Sequence, residues 1–243
     1  MRRLVWVLAG VTALIAGPAA AVTCADQSFE GHRFTTCTVD AATEDLRLFH
    51  RDPAGQVLGG WSALTALVSP RSVSFAMNAG MYHDDRRAVG LYVQDGVQTA
   101  PLVTRDGPGN FGLLPNGVLC LTDDSARVIE TLTFAATTPA CRDATQSGPM
   151  LVIGGKLHPR FLPTSDSLNI RNGVGTSADG HTAIFAISDD PVNFDTFGRF
   201  FRDVLQVPDA LFLDGSISRL YAPQLGRADF GFAPLGPMVA VVE

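Results

Sequence analysis

Lysine is almost missing. Of the 18 Lys and Arg residues in 243, only Lys156 is lysine, and no basic run occurs anywhere. Nucleic-acid binding leaves a basic patch or stripe, so no nucleic-acid partner is expected. Charge of either sign is scarce: 17% of residues are charged and 46% are hydrophobic, which excludes a disordered chain. No repeat with a period of roughly 20–50 residues is visible, and no linker-like stretch divides the chain. One domain is expected. Several catalytic signatures are also missing. Gly155-Lys156 lacks the glycine spacing and the following Ser/Thr of a P-loop. There is no Gly-x-Ser-x-Gly elbow and no His-Glu-x-x-His. There is no Cys-x-x-Cys and no His-x-x-x-His, and the five histidines are scattered. No metal-ligand set follows from this inventory, and no cofactor is expected.

What is present starts with an address. Arg2 and Arg3 precede an apolar stretch from Leu4 to Gly17, then Pro18 and Ala19-Ala20-Ala21. That pattern is a secretory signal peptide over 1–21, too short for a comfortable membrane span. No stable span is expected after cleavage. Removing it leaves 16 cations against 24 anions, a net charge of -8. All four cysteines (Cys24, Cys37, Cys120 and Cys141) lie beyond it. An even count in an exported chain reads as two disulfides, and four cysteines allow three pairings. Cys24–Cys37 and Cys120–Cys141 are favoured, because each closes a short local loop. The compartment is therefore oxidising, periplasmic or secreted.

Strand signals dominate the remainder. Leu46–His50, Val73–Met77, Val118–Leu121, Arg127–Glu130, Met150–Ile153, Val174–Ser177 and Thr182–Ile187 read as strands. Gly90–Gln94 joins Val97–Thr99 through Asp95-Gly96, a hairpin signal. Helices are expected at Trp61–Val68 and from about Phe194 to Gln206. In the second, Asn193 is the N-cap and Phe194, Phe197, Phe201, Val204 and Leu205 share one face. Ala210–Leu213 follows as an apolar strand buried on both sides. The whole reads as α+β, a single domain with a mixed, mostly antiparallel sheet and few helices.

Polar residues stand at the ends of these apolar strands. The segments are Phe75-Ala-Met-Asn78-Ala-Gly80-Met-Tyr82, Gly109-Asn110 with Asn116-Gly117, Gln146-Ser147-Gly148-Pro149, Asn169-Ile-Arg171-Asn172-Gly173 and Leu213-Asp214-Gly215-Ser216-Ile-Ser218. Each alone reads equally well as a turn. Asp214 differs by context, since a buried strand delivers its carboxylate to a sheet edge where the acid can be tuned.

In this order the segments resemble the phosphodiester glycosidase family, the uncovering-enzyme-like domain, in its small exported bacterial branch. The resemblance runs from about Phe75 to the end and implies a glycosidase-like domain over 22–243. It implies a hydrolase that cleaves the sugar C1–O bond of a sugar-1-phosphodiester and leaves a phosphomonoester. The substrate partner would be a sugar phosphate or phosphoglycan. By the same resemblance Asn78, Ser147, Gly148, Arg171, Asn172, Asp214, Gly215 and Ser218 match positions that line a common surface cavity. Their chemistry makes Asp214 and Arg171 the expected catalytic pair, and Asn78, Ser147, Gly148, Asn172, Gly215 and Ser218 the expected substrate-binding groups. Asp189 is a candidate second carboxylate. The family pattern more often has a second glycine where Ser216 stands. The rival expectation is a non-catalytic envelope protein that binds phosphoglycan through the same cavity.

Overall fold

The computed structural model describes residues 22–214 and 217–243. The stretch 1–21, expected as a signal peptide, and Gly215 and Ser216 lie outside the described residues. Three antiparallel sheets share one core. The largest has seven strands: β1 (Thr23–Phe29), β2 (His32–Asp40), β13 (Thr182–Ser188), β12 (Asn172–Thr176), β14 (Asp209–Asp214), β10 (Met150–Ile153) and β11 (Lys156–Leu157), in that spatial order. The second runs β16 (Arg227–Ala228), β15 (Leu220–Ala222), β4 (Val73–Asn78), β17 (Met238–Val242) and β3 (Leu46–Phe49). The third runs β6 (Val97–Ala100), β5 (Tyr92–Gln94), β9 (Asp143–Ser147), β7 (Gly117–Leu121) and β8 (Ala126–Glu130). Among the described residues only short α-helices accompany them: α1 (Trp61–Val68), α2 (Thr131–Thr137) and α3 (Phe194–Arg199). The architecture is α+β in one domain. No helix among the described residues is long and apolar enough to cross a membrane.

Alternation along β14 explains its wholly apolar sequence. Leu211 and Leu213 enter the core shared with Phe75 and Val239 of the second sheet and Leu119 of the third. Ala210 and Phe212 face the other way, into a cluster with Phe197, Phe200 and Phe201. Successive side chains of a strand point to opposite faces, so a strand covered on both reads as an unbroken apolar run. The Asp95-Gly96 hairpin forms with φ of 52° and 74° at its two turn residues. Disulfides join Cys24 to Cys37 across the β1–β2 pair and Cys120 to Cys141 beside β7.

The second expected helix needs correction. It starts as read, with Asn193 Oδ1 accepting from the Thr196 N–H at 2.9 Å. The α-helix ends at Arg199, and a wider π-turn covers Phe200–Val204. Leu205 donates to the Phe200 carbonyl, five residues back, at 3.1 Å. Phe200 stacks on Phe34 at 4.1 Å while Phe201 packs edge-on against Phe197 at 5.2 Å. Burying both neighbouring rings widens the turn and swings Val204 outward to 37% exposure. The polar strand β9 and helix α2 are further elements that the apolar pattern does not reveal.

Candidate functional site at the seam of three sheets

Four strand ends, drawn from all three sheets, meet at one place. They are Asn78 at the end of β4, Ser147 at the end of β9, Asn172 at the start of β12 and Asp214 at the end of β14. All four are buried. Asn172 is the hub. Its Nδ2 donates to the Asn78 carbonyl at 2.8 Å and to Asn78 Oδ1 at 3.2 Å. Its Oδ1 accepts from the Asp214 backbone N–H at 2.9 Å. The Asn78 amide donates onward to the Ile217 carbonyl, and Asn78 Oδ1 accepts from the Arg219 N–H at 2.8 Å. Ser147 Oγ donates to the Leu213 carbonyl at 2.8 Å. Ser218 Oγ lies 2.8 Å from the Asp214 carbonyl and 3.1 Å from that of Ile170. These side chains grip the backbone on both sides of Asp214. The hydrogen bonds they make here run to other groups of the chain. Gly148 packs so closely that a Cβ there would fall 2.5 Å from that of Asn116.

Asp214 itself is 7% exposed. Its carboxylate lies close enough to Tyr82 to help burial hold that phenol above its ordinary pKa. Tyr82 comes from the Asn78–Tyr82 segment and lies four residues past the end of β4. The signal for it was Gly80, whose φ of 86° and tight contact with Thr145 turn the chain back toward the seam. Tyr82 Oη is 3.3 Å from the Pro234 carbonyl, and Arg86 stands over its ring at 5.1 Å.

Arg171 is next in sequence to Asn172, but its side chain leaves the hub. It is 1% exposed. Nε donates to the Val192 carbonyl at 2.8 Å and Nη2 to that of Ser167 at 2.9 Å. The guanidinium lies 3.7 Å above the Phe194 ring. Phe194 in turn stacks on Phe161, and Phe161 on His158, a ladder of planar groups with the cation on top. Nη1 is buried without a hydrogen-bond partner among the described residues. Burial pulls the pKa down to about 10, and no carboxylate among the described residues offsets it. Asp189, the candidate second carboxylate, answers Arg227 at 2.7 Å and Thr35 at 3.1 Å instead. A hollow of about 530 Å³ opens beside Ser218, walled by Asn169, Ile170, Arg219 and Phe230. Neither Asp214 nor Arg171 is among the described residues on its wall. Among the described residues no group of three or more His, Cys, Asp or Glu is placed to hold a metal ion.

Comparison with known proteins follows this geometry. The phosphodiester glycosidase family matches residues 71–238. The uncharacterized protein YigE of Escherichia coli K12 is 35% identical over 185 residues, which cover 76% of this chain and 72% of that one. The catalytic domain of zebrafish N-acetylglucosamine-1-phosphodiester α-N-acetylglucosaminidase superposes with a TM-score of 0.63 at 13% identity, covering 91% of this chain and 82% of its own. A hypothetical protein from Synechocystis gives 0.58 at 12% identity, covering 93% and 64%. These two likenesses are of fold alone. The span of the family match and the identity to the bacterial relative carry membership: the chain belongs to the phosphodiester glycosidase family.

Proposed function

We propose that this protein hydrolyses a sugar-1-phosphodiester at the sugar C1–O bond. Water supplies oxygen to C1, and the aglycone leaves as a phosphomonoester with the bridging oxygen. A phosphate ester is already a good leaving group, so the reaction asks for a carboxylate at C1 and a cation at phosphate more than for a strong acid. Asp214 is the carboxylate, and Arg171 is the phosphate partner. Arg171 is the observation that carries this reading. A buried charge is costly unless it is paired, yet this guanidinium has carbonyls and a ring around it and no counter-ion among the described residues. An anionic ligand completes that environment. The enzyme works in an oxidising compartment, exported with its two disulfides, as in the small bacterial branch of the family.

The test is turnover of sugar-1-phosphodiesters in oxygen-18 water. The expected label is in the free sugar; label in phosphate would mean attack at phosphorus and overturn the proposal. Asp214→Asn should cut the rate on the order of 10²–10⁴. The fold and melting temperature should stay nearly intact, as expected of a carboxylate kept for chemistry, since Asn172 and Ser218 hold the backbone N–H and carbonyl of residue 214 in either variant. A large melting loss would make Asp214 a turn residue. Binding of the diester without any release of sugar would support the phosphoglycan-binding protein instead.

A further inference from the structure

The hollow beside Ser218 runs into a larger cleft of about 950 Å³ between α1 and the segment 228–235, and Arg219 and Phe230 border both. The cleft is walled by Trp61, Pro234, Phe230 and Phe232. Phe230 and Phe232 are 83% and 98% exposed and touch each other edge to face at 5.5 Å. Burying phenylalanine is favourable, so two adjacent rings left in water mark a surface made for contact.

The same cleft carries uncompensated charge. Arg86 and Arg219 border it, and among the described residues neither guanidinium has a carboxylate partner. Arg86 faces the Tyr82 ring. Arg219 lies flat against Gly231, where a Cβ would collide with its guanidinium. The carboxylate on that wall, Asp229, is already answered by Arg227 at 2.9 and 3.0 Å. Apolar walls with two cations that lack a carboxylate partner among the described residues match an apolar chain with an anionic head.

We propose that this cleft binds an anionic amphiphile, with its chain on Trp61, Phe230 and Phe232 and its phosphate head between Arg86 and Arg219. The site borders the hub around Asp214 but does not depend on turnover there. Trp61 reports on it. The chain has two tryptophans, and Trp6→Phe leaves Trp61 as the only one, excited selectively at 295 nm, whether or not the leader is removed.

The experiment titrates that protein with monomeric decyl phosphate, decyl glucoside, inorganic phosphate and anionic phospholipid vesicles. The expected result is a saturable Trp61 response to decyl phosphate, weaker with the neutral glucoside and absent with phosphate alone. Arg219→Gln should weaken binding about tenfold, the loss of one charged hydrogen bond. It keeps the backbone N–H bonded to Asn78. Phe232→Ser should weaken binding similarly without touching the core. Equal binding of the glucoside, or Arg219→Gln binding unchanged, overturns the proposal. So does a response to vesicles alone, which would make the two phenylalanines a membrane foot.

Discussion

Asn172 joins three strand ends through one amide. Its oxygen holds the Asp214 N–H, and its nitrogen holds both oxygens of Asn78. Removing it orphans buried groups whose desolvation costs roughly 1–3 kcal/mol each. Asn172→Ala is therefore expected to lower the unfolding free energy by about 2–4 kcal/mol in urea titrations. Asn172→Asp should not rescue it, because a carboxylate would face the Asn78 carbonyl. A loss under about 0.5 kcal/mol, the range of an ordinary surface change, would remove Asn172 from the hub. Residue types at this seam were legible in the sequence, since polar residues closing apolar strands stand out. Asn78 and Asn172 read as groups that grip a sugar or orient Asp214. In the structure Asn78, Ser147 and Asn172 hydrogen-bond the backbone around Asp214, partners that strand spacing alone does not name. Likewise an arginine beside Asn-Gly carries no sign of its burial, which depends on Phe194, Phe161 and Ser167 folding over it from elsewhere.

At the scale of elements, the segment 194–206 separates pattern from packing. Helical spacing assigns the inner face to Phe201 and Val204, and leaves Phe200 off it. The π-turn puts Phe200 against Phe34 and turns Val204 out. Phe200→Ala is expected to cost about 3–5 kcal/mol, the usual range for a buried phenylalanine. Val204→Ala should stay within about 0.5 kcal/mol. Chemical denaturation of the two variants decides between the readings, because a regular helix reverses the order. No 3.6-residue template contains the widened turn, so the sequence could not show it. Strand β14 was readable because both of its faces are apolar. Strand β9, Asp-Ala-Thr-Gln-Ser, is equally buried but polar, and its Gln146 amide bonds Val103 and Thr131. Burial by hydrogen bonding leaves no apolar period to read.

On the scale of the whole molecule, three sheets must be brought into register by partners far apart in the chain. β4 lies between β15 and β17, more than a hundred residues later. Local spacing predicts hairpins, not such pairings, so the α+β class was legible while the three-sheet seam was not. One seam makes a prediction about pH. Glu44 sits where β2 ends and the C-terminal strand β17 arrives, with its carboxylate accepting from the Asp40 N–H at 3.2 Å. Burial, with Asp40 and Glu243 nearby, raises its pKa from 4.5 to about 7. The folded state therefore binds this proton more tightly than the unfolded chain. Its contribution is complete below about pH 4.5 and is lost as pH rises through 7. His50 and His158 act in the opposite sense, since burial lowers their pKa values and they favour the folded state as pH rises through 6.5. The wild-type slope between pH 5 and 8 thus mixes both signs, and the difference from Glu44→Gln isolates one. Glutamine keeps the acceptor for Asp40 and cannot ionise. Urea midpoints should separate progressively from pH 5 to pH 8, with the variant the more stable partner at pH 8. A gap that stays constant, or that narrows toward pH 8, would show that Glu44 ionises as freely in the folded protein as in the unfolded chain.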